Sequence, residues 1–173
     1  MSQSVSNLGP YGIYQYPAII GMKADSMEDN VDTLACDADT IAFGVVVGFS
    51  EQGTQKIRTG GERPRGISVH DHLVGSRMSY HRYEPVSTLT RGRVWAKVSN
   101  ATGVEDGAAV HYNETTGEVA ASGGSALLNA VFRSGAISLP DAAQTAWGAG
   151  AMSLGAVVEL HYPFAEPAEG NGG

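Results

Sequence analysis

Gly92-Arg-Val-Trp-Ala-Lys-Val98 decides the fold. Val94, Ala96 and Val98 recur at every second position while Arg93, Trp95 and Lys97 occupy the alternate ones, the period of a strand with one face buried. Working outward, Ala42-Phe-Gly-Val-Val-Val-Gly-Phe49 is a short apolar run suited to a strand buried on both faces, and Gly66-Ile-Ser-Val-His70 alternates. Ala108–Tyr112 and Gly117–Ala121 flank Asn113-Glu-Thr-Thr116 and read as a β-hairpin closing on Gly117. Gly155–His161 gives a last strand, stopped by Pro163. The 16 valines and 7 isoleucines against 9 leucines favour a pleated surface. Helical signal is confined to Pro140–Ala146, one short helix at most, ended by Gly148 and Gly150. The expectation is a mainly β domain, a compact barrel or jelly-roll-like sandwich. An N-terminal arm (1–22) precedes the barrel (23–163), and a flexible Gly/Pro/Glu tail (164–173) follows it.

Composition narrows the function classes. A chain of 173 residues buries one sizeable core, and 42% hydrophobic residues is too many for a disordered chain. Charged residues make up 17%, and 23 glycines with 7 prolines point to many turns rather than long helices. The net charge of −7 repels phosphate backbones and anionic membranes, so neither nucleic acid nor membrane is expected as a partner. Cys36 is the single cysteine, which excludes an intramolecular disulfide and reads as a small buried apolar residue. No signal peptide pattern or membrane-spanning run is visible, so synthesis in a reducing cytoplasm is expected.

A search for chemistry returns little. His70-Asp71-His72, with His81 nine residues on, could present two imidazoles on one strand face to a transition metal, giving a metal-dependent barrel enzyme as the alternative reading. Spacing pins down no third ligand. Gly48-Phe-Ser-Glu-Gln-Gly53 places its second glycine one residue late for a nucleophile elbow. Thr59–Arg65 lacks the ending of a phosphate loop and reads as a polar loop kept soluble by Arg63 and Arg65. Asp25, Glu28, Asp29, Asp32, Asp37 and Asp39 lack calcium-loop spacing and read as a solvated acidic face. The sequons at Asn100 and Asn113 are chance matches on this reading. No nucleophile, base and positioning set assembles, so no catalytic residues and no cofactor are expected and binding work gains weight. Tyr11, Tyr14 and Tyr16 in the arm combine large apolar area with a polar tip, the residue type enriched where proteins touch.

Taken in order, Tyr16-Pro17-Ala18, Gly21-Met22, Val31-Asp-Thr33, Phe43–Val47, Gly66–Asp71, Tyr83, Gly92–Val98, Asp106–Tyr112, Thr116-Gly117, Ala130-Val-Phe132 and Gly155–Leu160 resemble the tailed-bacteriophage head decoration, or structural cement, proteins. The resemblance covers roughly residues 14–162. Two places depart from the family pattern: Asp106-Gly107-Ala108 after Glu105 stands where Gly-Asp is usual, and Thr145–Gly150 replaces a more regular approach to the last strand. The resemblance implies a small β domain on the outer surface of a mature virion capsid. It would bridge major capsid protein subunits as a homo-oligomer, a trimer rather than a dimer, without cofactor or metal. Tyr11, Tyr14, Tyr16 and Pro17 of the arm are the expected capsid or subunit contacts, with folding back onto the chain's own barrel as the alternative. A virion spike or tail component on a similar module is the other structural reading.

Overall fold

A computed structural model describes residues 18–51, 55–71, 79–140 and 152–164. These carry twelve strands and no helix. In chain order they are β1 (Asn30–Cys36), β2 (Thr40–Ala42), β3 (Val46–Phe49), β4 (Lys56–Thr59), β5 (Pro64–Ser68), β6 (Ser79–His81), β7 (Pro85–Val98), β8 (Ala109–Tyr112), β9 (Val119–Ala120), β10 (Ser125–Phe132), β11 (Ile137–Pro140) and β12 (Met152–His161). No helix among the described residues is long and apolar enough to cross a membrane.

The stretch that reads most clearly as a strand is the second half of β7, and β7 organises the molecule. Hydrogen-bonded neighbours close one five-strand circuit, β1-β4-β3-β5-β7, and a second, β7-β9-β8-β10-β12. Strand β11 adds an outer edge to β12, and β2 with β6 forms a separate two-stranded sheet. One strand can serve both circuits because 14 residues extend ~45 Å at ~3.3 Å each. Its first half pairs with β1, from Ala35 opposite Pro85 to Asn30 opposite Arg91, and with β5 at Leu89 and Thr88. Its second half pairs with β12 from His161 opposite Arg91 to Leu154 opposite Val98. The barrel expectation therefore holds, with a second closed set of strands on the same backbone.

Alternation places Val94, Ala96 and Val98 in the core. There they join Tyr112, Phe132, Val158 and Leu160, and the cluster reaches back to Val46, Ile67 and Leu89 of the first circuit. A second cluster packs Leu34, Ile41, Phe43, Ile57, Tyr80 and Val86. Two buried hydroxyls are paired within the core, while that of Thr88 has no partner among the described residues: Ser68 Oγ donates to the Ala42 carbonyl at 2.7 Å and accepts from the Val45 amide at 3.2 Å. Tyr80 donates to the Val69 carbonyl at 2.6 Å.

Several sequence expectations need correction. The run Ala42–Phe49 is two strands, not one, because a turn at residues 43–44 sends β2 and β3 into different sheets. Pro140 ends β11 opposite Met152 instead of opening a helix, and residues 141–146 lie outside the described residues. The acidic stretch is solvated as read, with Asp25, Glu28, Asp29 and Asp39 exposed, and carries surface ion pairs: Asp29 with Lys23 at 2.6 Å, Asp25 with Arg93 at 3.2 Å, Asp39 with Arg82 at 3.2 Å, and the part-buried Asp32 with Arg65. The hairpin stands as read, with Tyr112 opposite Val119. Its Asn113 carboxamide oxygen accepts from the Thr115 and Thr116 amides at 2.8 and 3.1 Å, as Asx turns do. Cys36 is buried, and that burial pushes its thiol pKa up. Residues 18–22, at the inner end of the expected arm, pack into the fold: Ile20 is fully buried and its amide donates to the Pro140 carbonyl at 3.2 Å.

Candidate functional site

The segment read as a soluble polar loop is the hub of a concave face of the molecule. Gly60 donates to the Val46 carbonyl at 2.7 Å and Gly61 to the Glu114 carbonyl at 2.8 Å, pinning the loop between β3 and the 113–117 turn. The buried Tyr112 hydroxyl donates to the Gly61 carbonyl at 2.6 Å from beneath. Burial raises the Tyr112 pKa, helped by the carboxylates of Glu114 and Glu62, so the phenol keeps its proton and remains a donor. Three concavities surround this loop, and Glu62 lines all of them.

The most apolar is a groove of about 430 Å³ between Phe49, Pro64, Tyr112, Leu128 and Phe164. Its rim comes from an irregularity in β10: Ala126 sits opposite His111, but the next pair is Val131 with Ala109. The extra residues bulge outward, leaving Leu128 46% exposed and Asn129 at φ 52°. Tyr162 faces it at φ 54°, and the Asn129 carboxamide donates to the Tyr162 carbonyl at 3.4 Å. A bulky tyrosine in this backbone region is uncommon, and such residues cluster at binding clamps.

Arg65 holds the other wall. Its side chain is paired with Asp32 of β1 and lies 3.7 Å over the Phe164 ring and 5.9 Å from that of Phe49. Arg65 lies in strand β5 and anchors an aromatic stack, where the sequence suggested a solubilising loop residue. Phe164, the first residue of the expected tail, packs against it as the groove's far wall. Leu128, Phe164 and Arg65 were missed because the signals that place them, a β-bulge and a stack between remote segments, have no local sequence pattern.

A charged strip crosses the second circuit. Glu159 on β12 accepts from Arg93 of β7 at 2.7 Å and from Arg133 at 3.0 Å. Arg93 reaches Asp25 at 3.2 Å, and Arg133 reaches Asp106 at 3.6 Å. Hydrogen bonds from Arg133 and then Arg93 hold the Glu159 carboxyl below its ordinary value of 4.5. A depressed folded-state value means this stabilisation is complete above pH ~4.5 and is lost as the pH falls through the folded value. We expect wild-type stability to fall more steeply than that of Glu159→Gln between pH 5 and pH 3, read from urea midpoints at each pH; parallel curves would remove Glu159 from this role.

The sequence candidates divide. Tyr11, Tyr14, Tyr16 and Pro17 lie outside the described residues, as does His72. His70 stacks edge-on against Phe43 with centroids 4.9 Å apart. His81 pairs opposite Thr40, and its amide donates to the Glu84 carboxylate at 2.7 Å. Among the described residues no three His, Cys, Asp or Glu side chains converge as a metal set. What the geometry offers is a contact surface: a groove with exposed apolar walls, one of them, Phe164, backed by an arginine that Asp32 holds.

No curated protein matches the chain. A chain from the solved structure described as "The capsid of Myoviridae Phage XM1" shares the fold at a TM-score of 0.62 and 14% identity, over 94% of this chain and 99% of that one. The family model described as "Structural cement protein (E217 gp24/Pam3 gp6)" matches residues 9–160. With that match spanning nearly the whole fold, the chain belongs to the structural cement protein family of phages.

Proposed function

We propose that the protein binds the outer surface of the mature phage capsid and bridges neighbouring major-capsid-protein subunits, resisting the pressure of packaged DNA. The observation that carries this is the cement-family match from residue 9 to residue 160. The net charge of −7 supports an outward position, since an acidic protein is repelled by the DNA-filled interior. The protein acts by contact and not by catalysis. Many copies on a symmetric shell let weak contacts add, provided each oligomer engages several subunits at once. A homotrimer suits this use, with Tyr11, Tyr14, Tyr16 and Pro17 of the arm among the contacts.

Purified protein is expected to cosediment with expanded capsids that lack it and to raise their disruption temperature in a thermal-release assay. Capsids left bare and no more heat-resistant at saturating protein would overturn the proposal. Cryo-electron microscopy of decorated particles separates the shell from the alternative place on a spike or tail.

A further inference from the structure

We propose that the C-terminal segment beyond Phe164 docks on its own chain, laying Glu166 and Glu169 against a basic cup formed by Lys56, Arg58 and Arg63. The inference goes beyond the capsid reading and does not rest on it.

The cup is singled out by charge. Among the described residues, every other lysine and arginine lies against a carboxylate of its own chain. Lys56, Arg58 and Arg63 are exposed and pair with none of the described carboxylates. In a protein of net charge −7, three such cations side by side form a surface that attracts further carboxylates. They gather because of how β4 alternates: Ile57 is buried, so Lys56 and Arg58 both project outward. The Arg58 side chain lies along the loop that follows, with Nε 3.5 Å from where a Cβ on Gly61 would stand. Arg58 and Arg63 line a concavity of about 440 Å³ over Phe49 and Ser50. Lys56 joins them through Ser50, whose amide donates to the Lys56 carbonyl at 3.0 Å. Glu51 and Glu62 share the rim and offset the three cations only in part.

Charge and reach together select the occupant. Phe164 is the last described residue. Its ring lies 3.7 Å from the Arg65 guanidinium, which is 5.9 Å from the Phe49 ring, so the chain leaves the fold one side chain away from the cup floor. Next come Ala165-Glu-Pro-Ala-Glu169, whose only charged side chains are acidic. Glu166 and Glu169 are two and five residues past Phe164, a reach of ~7 and ~17 Å at ~3.3 Å per residue. Exposed ion pairs are individually weak, so an acidic peptide from elsewhere gains little from them. A tethered segment meets the cup at an effective concentration on the order of millimolar, which favours the chain's own tail.

The test is carbodiimide crosslinking of the full-length chain, read by mass spectrometry. The reagent joins a carboxylate directly to an amine that it touches, and the lysines available are Lys23, Lys56 and Lys97. Glu166 and Glu169 are expected to crosslink to Lys56 in preference to Lys23 and Lys97. Raising NaCl to ~1 M shortens the Debye length to ~3 Å and should cut the Lys56 crosslink at least ~3-fold. Arg58→Glu/Arg63→Glu, which reverses the cup but keeps Lys56, should lower it as much. Circular dichroism checks folding, and Arg58→Gln/Arg63→Gln takes its place if the reversal unfolds the protein. In a mixture of 15N-labelled and unlabelled chains the crosslinked peptides should stay isotopically pure, since both ends belong to one molecule. No crosslink to Lys56, crosslinks spread evenly over the three lysines, a yield indifferent to salt or to the arginine substitutions, or peptides of mixed isotope would each overturn the proposal.

Discussion

Phe132→Ala should destabilise the protein by about 3–5 kcal/mol, the range for removing a fully buried aromatic ring. Phe132 has no solvent exposure and belongs to the larger core cluster. For a chain of this size each kcal/mol moves the thermal midpoint by ~2–4 °C, so a drop of roughly 10 °C is expected. The more informative part is the shape of the transition. Phe132 belongs to the circuit closed by β12, whereas Ile57 on β4 belongs to the other. The cluster that holds Phe132 also holds Val46, Ile67 and Leu89, so the two circuits share side chains as well as β7. Phe132→Ala and Ile57→Ala are therefore expected to lower one common transition, as two-state unfolding requires. Calorimetry of either variant that shows two separated transitions would mean the circuits fold as independent units.

What was legible in the sequence follows from how local each signal is. The second half of β7 is legible because its period-two pattern needs no partner to be read, and the 113–117 hairpin because Asn113 and Gly117 carry their own turn chemistry. The first half of β7 was not: in Pro85-Val-Ser-Thr-Leu-Thr, Thr88 and Thr90 are fully buried although polar, so hydropathy hides the strand. Thr90 is satisfied by Asn30, sixty residues away, whose carboxamide donates to it at 3.1 Å. Strand β10 was reduced to Ala130-Val-Phe132 because its bulge interrupts the alternation at Leu127–Asn129. The groove was invisible for the same reason: its walls come from β3, β5, β8, β10 and the residues after β12, and only tertiary contact brings them together.

Gly60→Ala tests whether the hub of that face depends on close backbone contact. Gly60 lies at φ +64°, and a Cβ built there would sit 2.1 Å from the Glu114 carbonyl oxygen and 2.5 Å from its carbon. Both are backbone atoms, so no side chain can swing aside. The left-handed conformation costs alanine ~1–2 kcal/mol on its own. Moving the loop off the 113–117 turn also puts at risk the Gly61–Glu114 and Tyr112–Gly61 hydrogen bonds, each worth ~1 kcal/mol net. A total of about 3–5 kcal/mol is expected. Gly107→Ala supplies the control, since Gly107 lies at φ +86° with nothing within 4 Å of its added Cβ. It should lose only the conformational part, ~1–2 kcal/mol. Urea denaturation of the two variants separates the contributions, and equal losses would show that the loop yields without cost. The same pair bears on function: at a temperature where both are folded, Gly60→Ala should bind expanded capsids and other copies of itself less well than Gly107→Ala. That difference requires the Gly60–Pro64 loop to shape a working contact surface, because a purely structural loop would lower stability and leave binding by the folded fraction unchanged.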